Sequence, residues 1–139
     1  MEINNIKIGN ILNYTTAEGD VLPTKIDWQD LKWIDEDPEG FSLVHSPIEL
    51  TASLMIHMRF REEYNGDHSV FEKDGVCFYM DGNGAAEFMT SDRYCVEYLH
   101  EVQNIYFALT REEIYIELNE INKEPEKDVI DDLRKDIPF

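Results

Sequence analysis

The sequence predicts an α+β fold: a small, strongly bent antiparallel sheet or partial barrel, a β-meander, one short helix and one longer amphipathic helix. Three patterns support this prediction. Short β-branched and aromatic runs follow one another early in the chain, two glycine-containing turn sequences divide the middle, and residues 94–109 repeat apolar side chains at helical spacing. The chain has 139 residues, 42% of them hydrophobic, which is enough for one domain with a real core.

The N-terminal third of the chain is rich in short extended runs bounded by turn residues. Short strands at this spacing are typical of a bent sheet or a partial barrel. The first of them is expected to bend at Gly9. We predict strands at 6–16, 21–28, 31–37 and 41–45, with turns at 17–20 and 35–40.

A short helix is predicted at about 51–60, because Leu50, Leu54 and Met58 recur every fourth residue. Either Ser46 or Thr51 could cap it. The following stretch reads as a three-stranded meander. Its two turns are the sequences KDG (73–75) and DGNG (81–84), which are strong hairpin signals.

The strongest helical pattern is YCVEYLHEVQNIYFAL, residues 94–109, in which the apolar side chains form one stripe. Residues 114–118, IYIEL, alternate as a half-buried strand does. The remainder is polar and interrupted by Pro125. We therefore predict a single domain at 1–118 and an acidic C-terminal arm at 119–139, which could include a short docked helix.

The stretch YLHEVQN, residues 98–104, contains the first half of the zinc-protease motif H-E-x-x-H. That chemistry needs two His one helical turn apart with a general-base Glu between them. Asn104 stands where the second His is required, and no His follows it. We interpret His100 and Glu101 as partly exposed side chains of an amphipathic helix. We predict a protein that is not an enzyme, with no catalytic residues, metal ligands or cofactor. A hydrolase or metal protein using this pair is the less favoured alternative.

The charge balance is strongly acidic, with 30 Asp and Glu against 12 Lys and Arg, for a formal net charge of −18. Such a field repels nucleic acid and anionic membranes, and it attracts basic surfaces. The N-terminus lacks the basic flank and apolar run of a signal peptide. No stretch approaches the roughly 20 apolar residues of a membrane span. The expected location is therefore the cytoplasm.

Acidic residues concentrate in two stretches. Residues 27–39, DWQDLKWIDEDPE, hold six acids, one Lys and two Trp, and a second acidic group lies in the C-terminal arm. Exposed tryptophans would act as anchors in a protein interface. The alternative is a sheet edge with a solvated outer face. The predicted partner-binding residues are Asp30, Asp35, Glu36, Asp37, Glu39, Glu120, Glu124, Glu126, Asp128, Asp131 and Asp132.

Four segments, IKIGN, SPIELT, FEKDGVCFYMDGNG and EYLHEVQNIYFALTREE, occur in this order. Together they resemble a family of small uncharacterised proteins found in Bacteroidetes genomes, often in phage or prophage regions. The resemblance covers roughly residues 3–114, and the segment after Glu113 departs from the family's short ending. The residues that match the most specific motif are His100, Gln103, Asn104, Tyr106, Phe107, Ala108, Leu109 and Thr110.

The resemblance implies a mobile-element context and no particular chemistry. Small acidic phage proteins, including anti-CRISPR proteins, often act by occupying a host protein. By analogy, we expect a phage-type interaction protein that binds and inhibits a nucleic-acid-handling bacterial protein, such as a CRISPR effector, in the host cytoplasm. The alternatives are a structural or regulatory phage protein that self-associates through its sheet edges, and an acidity that serves solubility alone.

Overall fold

A computed structural model describes residues 5–89 and 94–123 of the chain. The described residues form a mixed α+β fold with four helices and two antiparallel sheets and without a closed barrel, which confirms the predicted class. The helices are α1 (Trp28–Glu36), α2 (Pro38–Val44), α3 (Ala52–His57) and α4 (Leu99–Thr110), with a 3₁₀ turn at Leu118–Glu120. The strands are β1 (Ile11–Thr15), β2 (Val21–Lys25), β3 (His45–Ser46), β4 (Arg61–Asn65), β5 (His68–Lys73), β6 (Val76–Asp81), β7 (Ala86–Phe88) and β8 (Tyr94–Val96).

The smaller sheet has the strand order β2-β1-β3. The predicted turn at 17–20 joins β1 to β2, and the N–H of Thr16 closes it by donating to the carbonyl of Asp20 at 2.8 Å. Ile11 and Leu12 are neighbours in β1 but belong to different hydrophobic clusters, because successive side chains of a strand point to opposite faces. β1 therefore lies between two cores.

Two predicted strands, at 31–37 and 41–45, are wrong, because these residues form most of α1 and α2. The cause is capping. Asp27 accepts the N–H of Asp30 at 3.0 Å, and Asp30 accepts the N–H of Asp27 at 2.9 Å. Pro38 is the first residue of α2, where a backbone N–H would have no acceptor within the helix, so proline is tolerated there. These local signals outweigh the aromatic and β-branched composition of the two segments.

The larger sheet contains the predicted meander, extended by one strand at each side, in the order β4-β5-β6-β7-β8. Both predicted turns are confirmed. Asp74 and Gly75 take positive φ angles of 53° and 84° between β5 and β6. In the second turn, one carboxylate oxygen of Asp81 accepts the N–H groups of Asn83 and Ala85. That carboxylate therefore shapes the turn.

The two predicted helices exist, with different bounds. α3 lies within the predicted 51–60, and the Thr51 hydroxyl caps it by accepting the N–H of Leu54 at 3.2 Å. The longer helix, predicted at 94–109, begins only at Leu99. The residues before it form β8, which pairs with β7, so sheet pairing overrides the helical periodicity there.

The predicted strand at 114–118 does not pair with another strand in the described residues. Its alternation is nevertheless reflected in burial: Ile114 and Ile116 are buried, whereas Tyr115 and Glu117 are exposed. The segment lies extended on the core, and it leads into the 3₁₀ turn at Leu118–Glu120.

The main core lies among α3, α4 and the inner face of the larger sheet. Its largest fully buried side chains include Phe60, Phe71, Phe78 and Tyr106. A second, smaller core lies on the other side of β1, where α1 and α2 pack. It consists of the buried residues Ile6, Leu12, Ile26 and Phe41 with the partly buried Leu31, Trp33 and Ile34.

Candidate functional site

The strongest candidate for a binding site is the acidic helical surface, which we define as the carboxylates of Asp30, Asp35, Glu36, Asp37 and Glu39. The fold brings these five predicted residues together on α1, α2 and the single residue between the helices. All except Asp30 are exposed. α1 contains one basic residue, Lys32, and α2 contains none. The surface is therefore acidic along both helices.

Two of these five residues have structural roles. Asp30 completes the cap at the start of α1, and Asp37 caps α2 by accepting the N–H of Gly40 at 3.1 Å. The backbone N–H of Asp30 also lowers the pKa of Asp27, the other member of the α1 cap. These carboxylates contribute charge, but their hydrogen bonds fix their positions.

Asp35, Glu36 and Glu39 are not used in this way. Glu36 approaches Lys32 at 3.9 Å, but both side chains are largely exposed, so the pair contributes little. Asp35 and Glu36 lie in the last turn of α1, where the helix carries a partial negative charge and no basic side chain offsets it. These two acids therefore oppose the helix that carries them.

The same pair of helices exposes two large apolar side chains. Trp28, the first residue of α1, is 64% exposed, and Leu43 of α2 is 84% exposed. Trp33 instead packs edge-on against Phe41 in the smaller core, with ring centroids 5.5 Å apart. Of the two tryptophans, Trp28 alone is available as an anchor, and Trp33 stabilises the fold.

Of the predicted C-terminal acids, only Glu120 lies within the described residues. Glu120 belongs to the 3₁₀ turn and is half-buried, with its carboxylate 3.9 Å from Nδ1 of His57. Nε2 of His57 lies 2.6 Å from the carbonyl oxygen of Lys123, which can only accept, so the imidazole donates there. Five predicted residues lie outside the described residues: Glu124, Glu126, Asp128, Asp131 and Asp132.

The zinc-protease half-motif has a structural explanation. One carboxylate oxygen of Glu101 accepts the N–H groups of Glu97 and Tyr98, each at 3.0 Å, and so caps α4. The expectation that His100 is partly exposed is wrong, because its side chain turns into the core and the residue is only 2% exposed. Within 5–89 and 94–123, no three His, Cys, Asp or Glu side chains converge as metal ligands.

His100 is buried without full hydrogen bonding. Its Nδ1 atom has no hydrogen-bond partner among the described residues. Burial lowers the pKa of His100 below its ordinary value of 6.5, and the nearby charge of Glu101 opposes that shift. The imidazole is therefore a neutral core side chain at pH 7.

Sequence reasoning missed the polar contacts that attach α4 to the N-terminal segment. The Gln103 side chain accepts the N–H of Ile11 at 2.9 Å and donates to the carbonyl of Gly9 at 3.0 Å. Asn104 accepts from the side chain of Asn10 at 2.8 Å and donates to the carbonyl of Asn5 at 2.7 Å. We call Gln103 and Asn104 the amide pair. The sequence does contain one signal of these contacts, which is the presence of two adjacent amide side chains beside the apolar stripe of the helix.

Comparisons with known proteins found no match: no family model, no curated protein and no solved structure is significantly similar to this chain. The resemblance to a phage-associated family therefore stays a prediction. In the described part of the chain, every helix is too short or too polar to cross a membrane.

Proposed function

We propose that the protein is a non-enzymatic interaction protein that binds a basic, nucleic-acid-handling protein through the acidic helical surface and so blocks it. One observation carries the proposal. Four acids within five positions, Asp35, Glu36, Asp37 and Glu39, are exposed at the junction of α1 and α2. Asp35 and Glu36 lie in the last turn of α1, where negative charge destabilises the helix. Acidic residues whose only role was to stabilise the fold would not be placed there.

The chemistry of such a surface fits a basic groove. Clustered carboxylates accelerate encounter with Lys- and Arg-rich surfaces and make association depend on ionic strength. Exposed Trp28 and Leu43 add apolar area on the same helices, and interface hot spots are enriched in Trp. The partner class is therefore a protein whose own ligand is a polyanion.

The biological setting belongs to the proposal as well. The resemblance supports a phage or prophage protein acting in a bacterial cytoplasm, and an inhibitor of a defence nuclease such as a CRISPR effector fits that setting. Self-association through the β4 edge of the larger sheet has less support. The edge strand β4 carries Arg61, Glu62 and Glu63, and charged residues on an edge oppose strand addition.

The decisive experiment reverses the charge of two residues of the acidic helical surface that have no structural role. The variant Asp35→Lys/Glu36→Lys changes the acidic helical surface and leaves both helix caps intact. We expect unchanged or slightly higher stability, by about 0.3–1 kcal/mol per residue, because cations are favoured at a helix C-terminus. The matched control is Glu18→Lys/Asp20→Lys, which makes the same change of net charge in the exposed β1–β2 turn.

Each protein is used as bait in a nuclease-treated Bacteroidetes lysate, washed at low and at high salt, and the captured proteins are identified by mass spectrometry. The proposal predicts a nucleic-acid-binding protein that the wild type and the control retain at low salt. The Asp35→Lys/Glu36→Lys variant should lose it. Equal capture by both variants, or capture that does not depend on salt, would overturn the proposal.

A further inference from the structure

An open surface pocket, whose empty space including adjoining solvent is about 420 Å³, lies where the N-terminal segment, α4 and the segment after α4 meet. Its apolar walls are Ile8, Phe107 and Ile114, and two charged residues, Lys7 and Glu113, also line it. Ile8 is 55% exposed and Phe107 is 41% exposed, although both are large apolar side chains. Apolar walls with a few polar groups are typical of small-molecule sites.

The pocket is held in shape before any ligand arrives. The amide pair attaches Gly9 and Asn10 to α4 through side-chain hydrogen bonds of 2.8–3.0 Å. The backbone of Lys7 is fixed by two contacts with Asn10, because its N–H donates to the Asn10 side chain at 2.8 Å and its carbonyl accepts the Asn10 N–H at 3.1 Å. Preorganised walls reduce the entropy lost on binding.

Gly9 makes room for one of the charges. Its φ of +93° lies in the left-handed region, and a Cβ built on it would stand 3.0 Å from the carboxylate oxygen Oε1 of Glu113. A side chain at this position would displace that carboxylate. The glycine therefore lets Glu113 lie directly over the backbone at the pocket.

The two charges are available to a ligand. Among the described residues, neither Lys7 nor Glu113 has an opposite charge within 4.0 Å. The pocket thus presents one cation, one anion and an apolar wall, and the two charges form no ion pair with each other or with another described residue. A ligand complementary to this set carries a carboxylate, an ammonium group and an apolar body.

We propose that the pocket binds a free α-amino acid with a large apolar side chain. Its carboxylate meets Lys7, its ammonium group meets Glu113, and its side chain packs between Ile8 and Phe107. This site is separate from the acidic helical surface, and neither proposal requires the other.

The test uses three probes that differ only in their charged groups: L-phenylalanine, 3-phenylpropanoate, which lacks the amine, and 2-phenylethylamine, which lacks the carboxylate. Each is titrated into ¹⁵N-labelled full-length protein, and the amide resonances of Gly9, Asn10 and Phe107 are followed. We expect L-phenylalanine to shift these resonances and each analogue to bind at least about tenfold more weakly. Equal binding of all three, or no shift at about 10 mM, would overturn the proposal.

Two variants test the assigned contacts. Lys7→Met and Glu113→Gln should each weaken L-phenylalanine binding at least about tenfold, while the matched controls Lys73→Met and Glu18→Gln leave it unchanged. Undiminished binding in the two pocket variants would refute the proposed contacts. The amide spectrum of each variant reports whether that variant folds. If a variant does not fold, binding of the three probes to the wild type decides whether the pocket recognises both charged groups.

Discussion

Among single residues, Gln103 is expected to have one of the largest effects on stability. The change Gln103→Ala removes the partners of a buried backbone N–H at Ile11 and of the carbonyl of Gly9. Each group left unpaired costs about 1–3 kcal/mol, so we expect a loss of about 2–6 kcal/mol in the free energy of unfolding. Urea denaturation measures it. The control Gln29→Ala, on the exposed face of α1, should stay within about 0.5 kcal/mol, and equal effects would contradict the assigned role.

The burial of His100 leads us to expect that the free energy of unfolding depends on pH. Burial lowers its pKa in the folded state, whereas the unfolded chain returns it to about 6.5. The stabilising effect of neutral His100 is therefore fully present above about pH 6.5 and is lost as the pH falls through the lower, folded pKa.

The variant His100→Leu should remove this component. We expect its unfolding free energy to change less than that of the wild type between about pH 7 and about pH 5.5. The exposed Gln29, which does not titrate, is changed to Leu as the control and should keep the wild-type slope. Parallel curves for His100→Leu and the wild type would show that another group titrates.

Among the elements, the 3₁₀ turn at Leu118–Glu120 depends on α3. The imidazole of His57 donates to the carbonyl of Lys123, and the buried side chain of Ile121 joins the main core. His57→Ala removes the polar half of this attachment. We expect amide hydrogen exchange across 118–123 to accelerate at least about tenfold, with little change in β5 and β6.

The control for this element is His68→Ala. That imidazole contacts the neighbouring Asp67 at 3.2 Å in the β4–β5 turn and touches nothing near the 3₁₀ turn that the structure describes. Exchange at 118–123 should stay at the wild-type rate. A uniform acceleration over the whole chain in His57→Ala would indicate global destabilisation instead of local release.

The elements also separate what local sequence can predict from what it cannot. The KDG and DGNG turns act over two to four residues and are confirmed, and of the two candidate caps, Ser46 and Thr51, Thr51 is the one the structure shows. The strands predicted in place of α1 and α2 are wrong although the helix caps are equally local, because aromatic residues such as Trp33 and Phe41 are common in strands as well. Their rings in fact form the smaller core. In this part of the chain capping is a stronger signal than composition.

The candidate site divides in the same way. The sequence predicts the acidity of 27–39, but only the fold separates the capping carboxylates of Asp30 and Asp37 from those of Asp35 and Glu36, which cap no helix. The pocket had no signal in the sequence. It depends on contacts between Gln103 and Gly9, 94 residues apart, for which local patterns carry no information.

For the whole molecule, the net charge of −18 predicts a rise in stability with salt. Self-repulsion destabilises a compact, highly charged chain, and ions screen it. Raising NaCl from about 0.01 M to about 0.1 M shortens the Debye length from about 30 Å to about 10 Å. We expect Tm to rise by about 2–5 °C.

Differential scanning calorimetry checks this prediction, with the same concentrations of sucrose as an uncharged control. An unchanged or lower Tm in salt would mean that favourable ion pairs compensate for the repulsion. The proposed complex should respond in the opposite direction, since the same ions weaken attraction to a basic partner.

The amide pair has a consequence for how the chain is made. Gln103 and Asn104 satisfy backbone groups that leave the ribosome more than 90 residues earlier. At about 5–20 residues per second, those groups wait about 5–20 s before their partners are synthesised. Until then, the N-terminal segment is held by its own hairpin, by the pairing of β1 with β3 and by the smaller core. Its attachment to α4 is thus among the last contacts to form.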